Sequence, residues 1–227
     1  MAEQLGLDLP CVPALGRDDF MVAPSNAIAL ALIEGWQNWP GSKLALTGPR
    51  GSGKTHLAHV WACLSGASIV DASDLAEMDI SKLAQGNVAV EDVPRIAGNP
   101  AAETALFHLH NMVLAEGHAL LLTGTAAVSR WGLGLPDLTS RIAAANTTDL
   151  QPPDDALLAA VLAKHFADRQ IMPRGDVIPF LLRRMNRSFD AARATVARID
   201  TISLARKKPV TRALASAALD IAAPDAP

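Results

Sequence analysis

The sequence predicts an α/β fold: an αβα domain with a five-stranded parallel sheet, followed by a small helical domain. Three observations carry that reading. Gly48-Pro49-Arg50-Gly51-Ser52-Gly53-Lys54-Thr55 has the form G-x-x-x-x-G-K-[ST], set between a short apolar run at 43–47 and a helical run from His56. Further strand-like runs alternate with helical ones as far as Leu150, the pattern of a parallel sheet covered on both faces. After Pro152-Pro153 no strand pattern appears. The expected division is a tail at 1–19, a P-loop domain at 20–151 and a helical domain at 152–227.

Taken in order, the first twenty residues hold Pro10, Pro13 and Gly16 without helical periodicity and read as an extended tail. Within it, Gln4-Leu5-Gly6-Leu7-Asp8-Leu9 places leucines at alternate positions. That pattern suits either an edge strand or a short linear motif docking in an apolar groove, and spacing alone does not choose. A helix is expected from Ser25 as N-cap, with Ile28, Leu32 and Trp36 on one face. Trp39-Pro40-Gly41 then breaks the chain. Strands are expected at 43–47, 68–71, 88–92, 119–123 and 146–150, the fourth nearly all apolar, as in the middle of a parallel sheet. Helices are expected at 56–62, 101–116 and 138–144 within the sheet domain, and at about 154–169, 176–185, 188–206 and 210–220 beyond it.

Bulk properties narrow the classes. Half of the 227 residues are apolar, enough for a real core, and net charge is −3. That balance argues against a protein whose main task is gripping DNA phosphates. The longest apolar runs, such as 119–122, are too short to span a bilayer, and no basic-then-apolar leader opens the chain. Two cysteines, Cys11 and Cys63, make no disulfide framework, and a reducing cytoplasm is the expected compartment. The six histidines have no metal-ligand spacing.

The chemistry gathers around the glycine-rich loop. Its glycines allow the backbone to turn N–H groups onto phosphate oxygens at a helix N-terminus. Lys54 is expected to neutralise the β- and γ-phosphates and the Thr55 hydroxyl to ligate Mg²⁺. Glu91 and Asp92 end the third strand, where one carboxylate can hold the metal and a second can orient water. Thr123 ends the fourth strand; it can sense the γ-phosphate, or simply finish a strand that suits β-branched residues. Arg141 reads either as a surface ion-pair partner or as an arginine reaching a neighbouring subunit's nucleotide. Of Arg183, Arg184, Arg187 and Arg193, one can fold back on the nucleotide while the others form a solvated basic face.

Together these residues resemble the AAA+ ATPases of the initiator clade that contains DnaA, over about 20–219. The segment Phe20-Met21-Val22-Ala23-Pro24-Ser25-Asn26 is similar to the family's opening stretch against adenine, which implicates Val22 and Asn26. Gly48 to Thr55 matches Walker A, implicating Pro49, Arg50, Gly51, Ser52, Gly53, Lys54 and Thr55, and His56 completes a G-K-T-H typical of DnaA. Glu91 and Asp92 fall on Walker B, Thr123 on sensor 1, Arg141 on the arginine finger in its L-x-S-R setting, and Arg187 on sensor 2. ADP or ATP with Mg²⁺ is the implied cofactor. Glu91 stands where Asp is commoner, so weak or absent intrinsic hydrolysis is expected.

Two features resemble a narrower group, the DnaA-related regulatory inactivators of replication initiation. The chain ends after the lid, where DnaA continues into its DNA-binding domain. Gln4, Leu5, Leu7 and Leu9 look like the Q-L-x-L-x-L peptide that binds the β sliding clamp of DNA polymerase III, with Gly6 where a stiffer residue is common. The resemblance implies DnaA and the clamp as partners, no dedicated DNA-binding domain, no membrane, and self-association through AAA+ surfaces. It implies that Arg141 acts on ATP held by DnaA. A helicase loader of the same clade, an independent P-loop ATPase and a clamp-tethered adaptor are the alternatives.

Overall fold

The computed structural model describes residues 15–220. Five strands run parallel in the order β2-β3-β4-β1-β5: β1 (Lys43–Thr47), β2 (Ser68–Asp71), β3 (Val88–Glu91), β4 (Leu120–Gly124) and β5 (Asn146–Asp149). The five-stranded parallel α/β sheet is as expected. Because side chains alternate across a strand, each buried strand feeds two cores. Leu44 and Leu46 of β1 join Ala89 and Leu121 beneath α1 (Ala27–Glu34) and α2 (Lys54–Ser65). Ala45, Val88, Val90, Leu120 and Leu122 face the other way, against α3 (Ile80–Leu83), α4 (Pro100–Ala115) and α5 (Pro136–Ala143).

Four helices follow: α6 (Asp155–Asp168), α7 (Val177–Leu182), α8 (Phe189–Arg206) and α9 (Arg212–Asp220). They close around a core of their own that includes Leu158, Leu162, Phe166, Phe180, Val196 and Ile199. Asp154 and Ser188 cap α6 and α8, accepting from the Leu157 and Ala191 amides. This helical body lies over the glycine-rich loop: the Phe189 N–H donates to the Gly51 carbonyl at 2.8 Å. A second tie joins Lys164 of α6 to Asp19 at 2.8 Å.

Several expectations need correction. Helix α1 buries Ala29, Leu30 and Ile33; of the expected face, Leu32 and Trp36 pack partly buried against the same core, whereas Ile28 is 73% exposed. Ser25 is not its cap. Asn26 stands at that position, and the Ser25 carbonyl accepts from Gln151. Arg17–Asp19 is a short 3-10 turn with Phe20 buried behind it, so the chain is already folded before residue 20. Between β2 and β3, where no element was expected, a 3-10 turn (Ala72–Glu77) leads into α3. Asp71 and Asp79 start these two pieces by accepting from the Ser73 and Lys82 amides. The helix after the loop begins at Lys54, not His56, and extends to Ser65.

Candidate nucleotide-binding site

The site is built at the C-terminal ends of the strands, where parallel α/β sheets place their ligand crevices. The loop leaves β1 and enters α2 through Gly48, Gly51 and Gly53, all at positive φ (147°, 68° and 100°). A side chain at Gly48 would place its Cβ 2.6 Å from the Leu150 carbonyl, and one at Gly51 would meet Ser188 at the same distance. Both positions therefore require glycine. The Lys54 ammonium is buried beneath the loop, donating to the Gly48 and Pro49 carbonyls at 2.8 and 2.9 Å. An ammonium has three N–H groups, so one donor remains. Burial lowers the Lys54 pKa, and the carboxylates of Asp92, Asp190 and Glu91 act against that shift. The Ser52 hydroxyl is buried with no hydrogen-bond partner. A spare ammonium N–H, an orphaned hydroxyl and a glycine-lined turn at a helix N-terminus form a cradle that a phosphate group fits.

Glu91 and Asp92 lie beside this cradle at the end of β3, both half-buried. Asp92 sits in the left-handed region (φ 54°), and its N–H donates to the Thr123 hydroxyl at 3.0 Å. Thr123 is fully buried, so the contact fixes the end of β3 against β4. Thr55 is exposed at the start of α2. Among the described residues no three His, Cys, Asp or Glu side chains are placed to hold a metal ion by themselves. Mg²⁺ fits here only as it commonly binds, through Thr55 and one carboxylate, completed by phosphate oxygens and water.

The other expected residues take varied positions. Pro49 and Arg50 are exposed at the loop's tip. Val22 is 53% exposed, while Asn26 is buried with its amide already engaged: it donates to the Met21 carbonyl and accepts from the Ala23 N–H. Asn26 thus shapes the opening segment and has little left for a ligand. His56 packs edge-on against Phe20, with Nε2 3.0 Å from the Gly16 carbonyl; burial lowers its pKa. Arg187 is exposed and paired with Asp155 of α6, two residues before α8 touches the loop. Of its neighbours, Arg184 lies over the Phe180 ring and Arg193 faces Asp190 at 3.6 Å. Gln4, Leu5, Leu7 and Leu9 lie outside the described residues.

Arg141 is not in this cluster. It is exposed on α5, and its carbonyl accepts from Lys43 at 2.7 Å, at the N-terminal end of β1. The loop leaves the opposite end of that strand, roughly 13 Å away at the rise of an extended strand. The guanidinium lies over the Phe107 ring, 5.4 Å from its centroid.

Two buried groups escaped the sequence reading. Glu103 of α4 is only 3% exposed and accepts from the Gly98, Gly134 and Leu135 amides at 2.9, 3.1 and 2.7 Å. Burial pulls its pKa up, and the three N–H groups outweigh that, leaving it below the ordinary glutamate value. His110 is buried 3.2 Å from the Lys43 ammonium. Burial chiefly, with Lys43 and Arg141 adding to it, lowers His110 from 6.5 to about 4, so the ring is neutral and can accept from Lys43. Below pH 6.5 the unfolded chain takes up a proton that the folded chain refuses until about pH 4. Stability therefore falls with pH across that window, by about 3 kcal/mol. Urea midpoints measured over it should fall less steeply in His110→Gln than in the wild type; parallel curves would contradict a neutral buried His110.

No family model matches this chain. Among solved structures it is similar to domain III of the replication initiation protein DnaA from Thermotoga maritima, with a TM-score of 0.79 at 18% identity over 94% of this chain and 98% of that one. AMPPCP-bound DnaA from Aquifex aeolicus superposes with a TM-score of 0.72 at 17% identity, over 86% of this chain and 69% of that one. A structure of RuvB from Thermotoga maritima gives 0.66 at 16%, over 91% and 72%. At these identities the likeness speaks for the fold: the chain has the α/β fold of the AAA+ domains of DnaA and RuvB.

Proposed function

We propose that the protein is a regulatory inactivator of the Hda kind, a nucleotide-bound AAA+ protein that docks on the sliding clamp and stimulates hydrolysis of ATP held by DnaA. The observation that carries this reading is the separation of Arg141 from the chain's own phosphate cradle. An exposed guanidinium at the far end of β1 has no short path to the nucleotide of the same chain. It is well disposed to meet a nucleotide presented by another subunit, where an arginine supplied in trans stabilises the charge of the transferring phosphoryl group. In this reading Gly51, Ser52, Gly53 and Lys54 bind the phosphates of ADP or ATP. Thr55 with Glu91 or Asp92 holds Mg²⁺, Thr123 orders the strand end, and Arg187 leaves Asp155 for the nucleotide. Gln4, Leu5, Leu7 and Leu9 supply the clamp peptide, and AAA+ surfaces supply the contact with DnaA or with a second copy. The absence, among the described residues, of a helix long and apolar enough to cross a membrane is compatible with that setting.

The test is hydrolysis of ATP preloaded on DnaA, with DNA-loaded clamp and this protein added. Acceleration above DnaA alone supports the reading, and no acceleration contradicts it. The placement of Glu91, Asp92 and Thr123 beside Lys54 favours one second reading, an ATPase acting on its own nucleotide. It predicts substantial turnover by the isolated protein.

A further inference from the structure

One face of α4 meets the Arg141 helix at three points. Glu103, Phe107 and His110 are spaced by four and three residues, so they lie on one side of α4 over two turns. Glu103 takes the N-terminal end of α5: its carboxylate accepts from Gly134 and Leu135, the two residues immediately before the helix. Phe107 lies under the guanidinium of Arg141. His110 holds the Lys43 ammonium, which donates to the Arg141 carbonyl near the C-terminal end of α5. That carbonyl would otherwise be an orphan, because Ala145, whose amide would continue the helical ladder, donates to Ile142 instead.

We infer that this face of α4, together with Lys43, is a seat that aims Arg141, and that Glu103, Phe107, His110 and Lys43 are positioning residues for the trans reaction. The inference rests on the reading of Arg141 given above. The eight-residue α5 is too short to be stable alone; Leu138 and Ile142 bury its apolar face in the core, and the polar contacts of Glu103 and Lys43 add a fixed point at each end. The side chain itself is long and exposed, and the ring narrows its rotamers before a partner arrives. Glu103 also accepts from Gly98, in the loop that follows Glu91 and Asp92, so the same carboxylate joins the strand end beside the phosphate cradle to the start of α5.

Phe107→Leu removes the π face while keeping an apolar side chain, and Phe107→Trp restores a π face. The first readout needs no partner. With ¹⁵N-arginine labelling, the Arg141 side-chain protons should be shifted upfield by the ring in the wild type, lose that shift in Phe107→Leu and regain it in Phe107→Trp. The second is the DnaA-bound ATP assay. The maximal rate should fall roughly threefold in Phe107→Leu, with the half-saturating concentration unchanged, and recover in Phe107→Trp. Glu103→Gln, which cannot serve three donors, should lose more, at least about tenfold, with ADP affinity retained. No ring shift in the wild type would overturn the seat whatever the assay gives. A ring shift with full stimulation by Phe107→Leu would overturn its role in positioning. A ring shift with no stimulation by the wild type would instead sink the functional reading beneath it.

Discussion

Arg141→Ala is expected to lower the stimulated hydrolysis of DnaA-bound ATP by about a thousandfold or more, the scale on which an arginine supplied in trans acts. The same change should leave the fold and the chain's own nucleotide affinity intact. The guanidinium is exposed, its described side-chain contact is the Phe107 ring, and the Lys43 bond is made to the backbone carbonyl that alanine keeps. Losing one exposed cation–π contact costs about 0.5–1 kcal/mol, a small part of a domain's stability. Arg141→Lys should fail almost as badly, because an ammonium lacks the planar fork that spans two oxygens of a phosphoryl group. Single-turnover hydrolysis of labelled ATP on DnaA checks both variants, with clamp binding as the control. Retained stimulation in Arg141→Ala would remove the arginine from the mechanism.

Lys54→Ala should weaken ADP and ATP binding by up to about a hundredfold, since a charged donor to a phosphate oxygen is worth roughly 1.5–3 kcal/mol and one Lys54 N–H is free to make that bond. The buried ammonium is in place for that role, with three carboxylates near enough to oppose the lowering of its pKa by burial. Stability should respond as well. Ligand at a hundred times its dissociation constant raises the wild type's unfolding free energy by about 2.7 kcal/mol. The variant should show almost none of that gain at the same concentration. Titration calorimetry and melting with and without ADP measure the two effects. Affinity within a few-fold of the wild type would mean that the loop does not hold phosphate through Lys54.

The fold was legible because its strongest signals are local. The glycine-rich loop lies between a strand and a helix, and a strand buried on both faces must be continuously apolar, as 120–122 is. Helix α1 was misread for a related reason. In Ala27–Glu34 only Glu34 is polar, so the pattern contains no face to read, and the sheet alone decides that Ile33 points inward and Ile28 out. The pieces at 72–83 are too short to carry a period, although Asp71 and Asp79 offered capping signals. Glu103 was hidden differently. In sequence it is a first-turn glutamate, a residue common there because it suits the helix dipole. Its amide partners Gly134 and Leu135 lie 31 and 32 residues away, a separation that no spacing rule reaches. The Lys43–His110 pair is separated by 67 residues and was invisible for the same reason. At the site itself, the loop, Glu91, Asp92 and Thr123 come together at one end of the sheet, whereas Arg141 goes to the other. The sequence alone left Arg141 open between a surface ion pair and a trans role, and its position bears directly on that choice.

In the proposed function this chain acts on a partner's ATP while tethered to the clamp. The most direct measurement is the rate of hydrolysis of ATP preloaded on DnaA, with DNA-loaded clamp, comparing the wild type with a Gln4→Ala, Leu5→Ala double variant. Acceleration by the wild type should require the clamp and be lost in the double variant. Equal rates with and without the protein, or acceleration that ignores both the clamp and the tail, would contradict it.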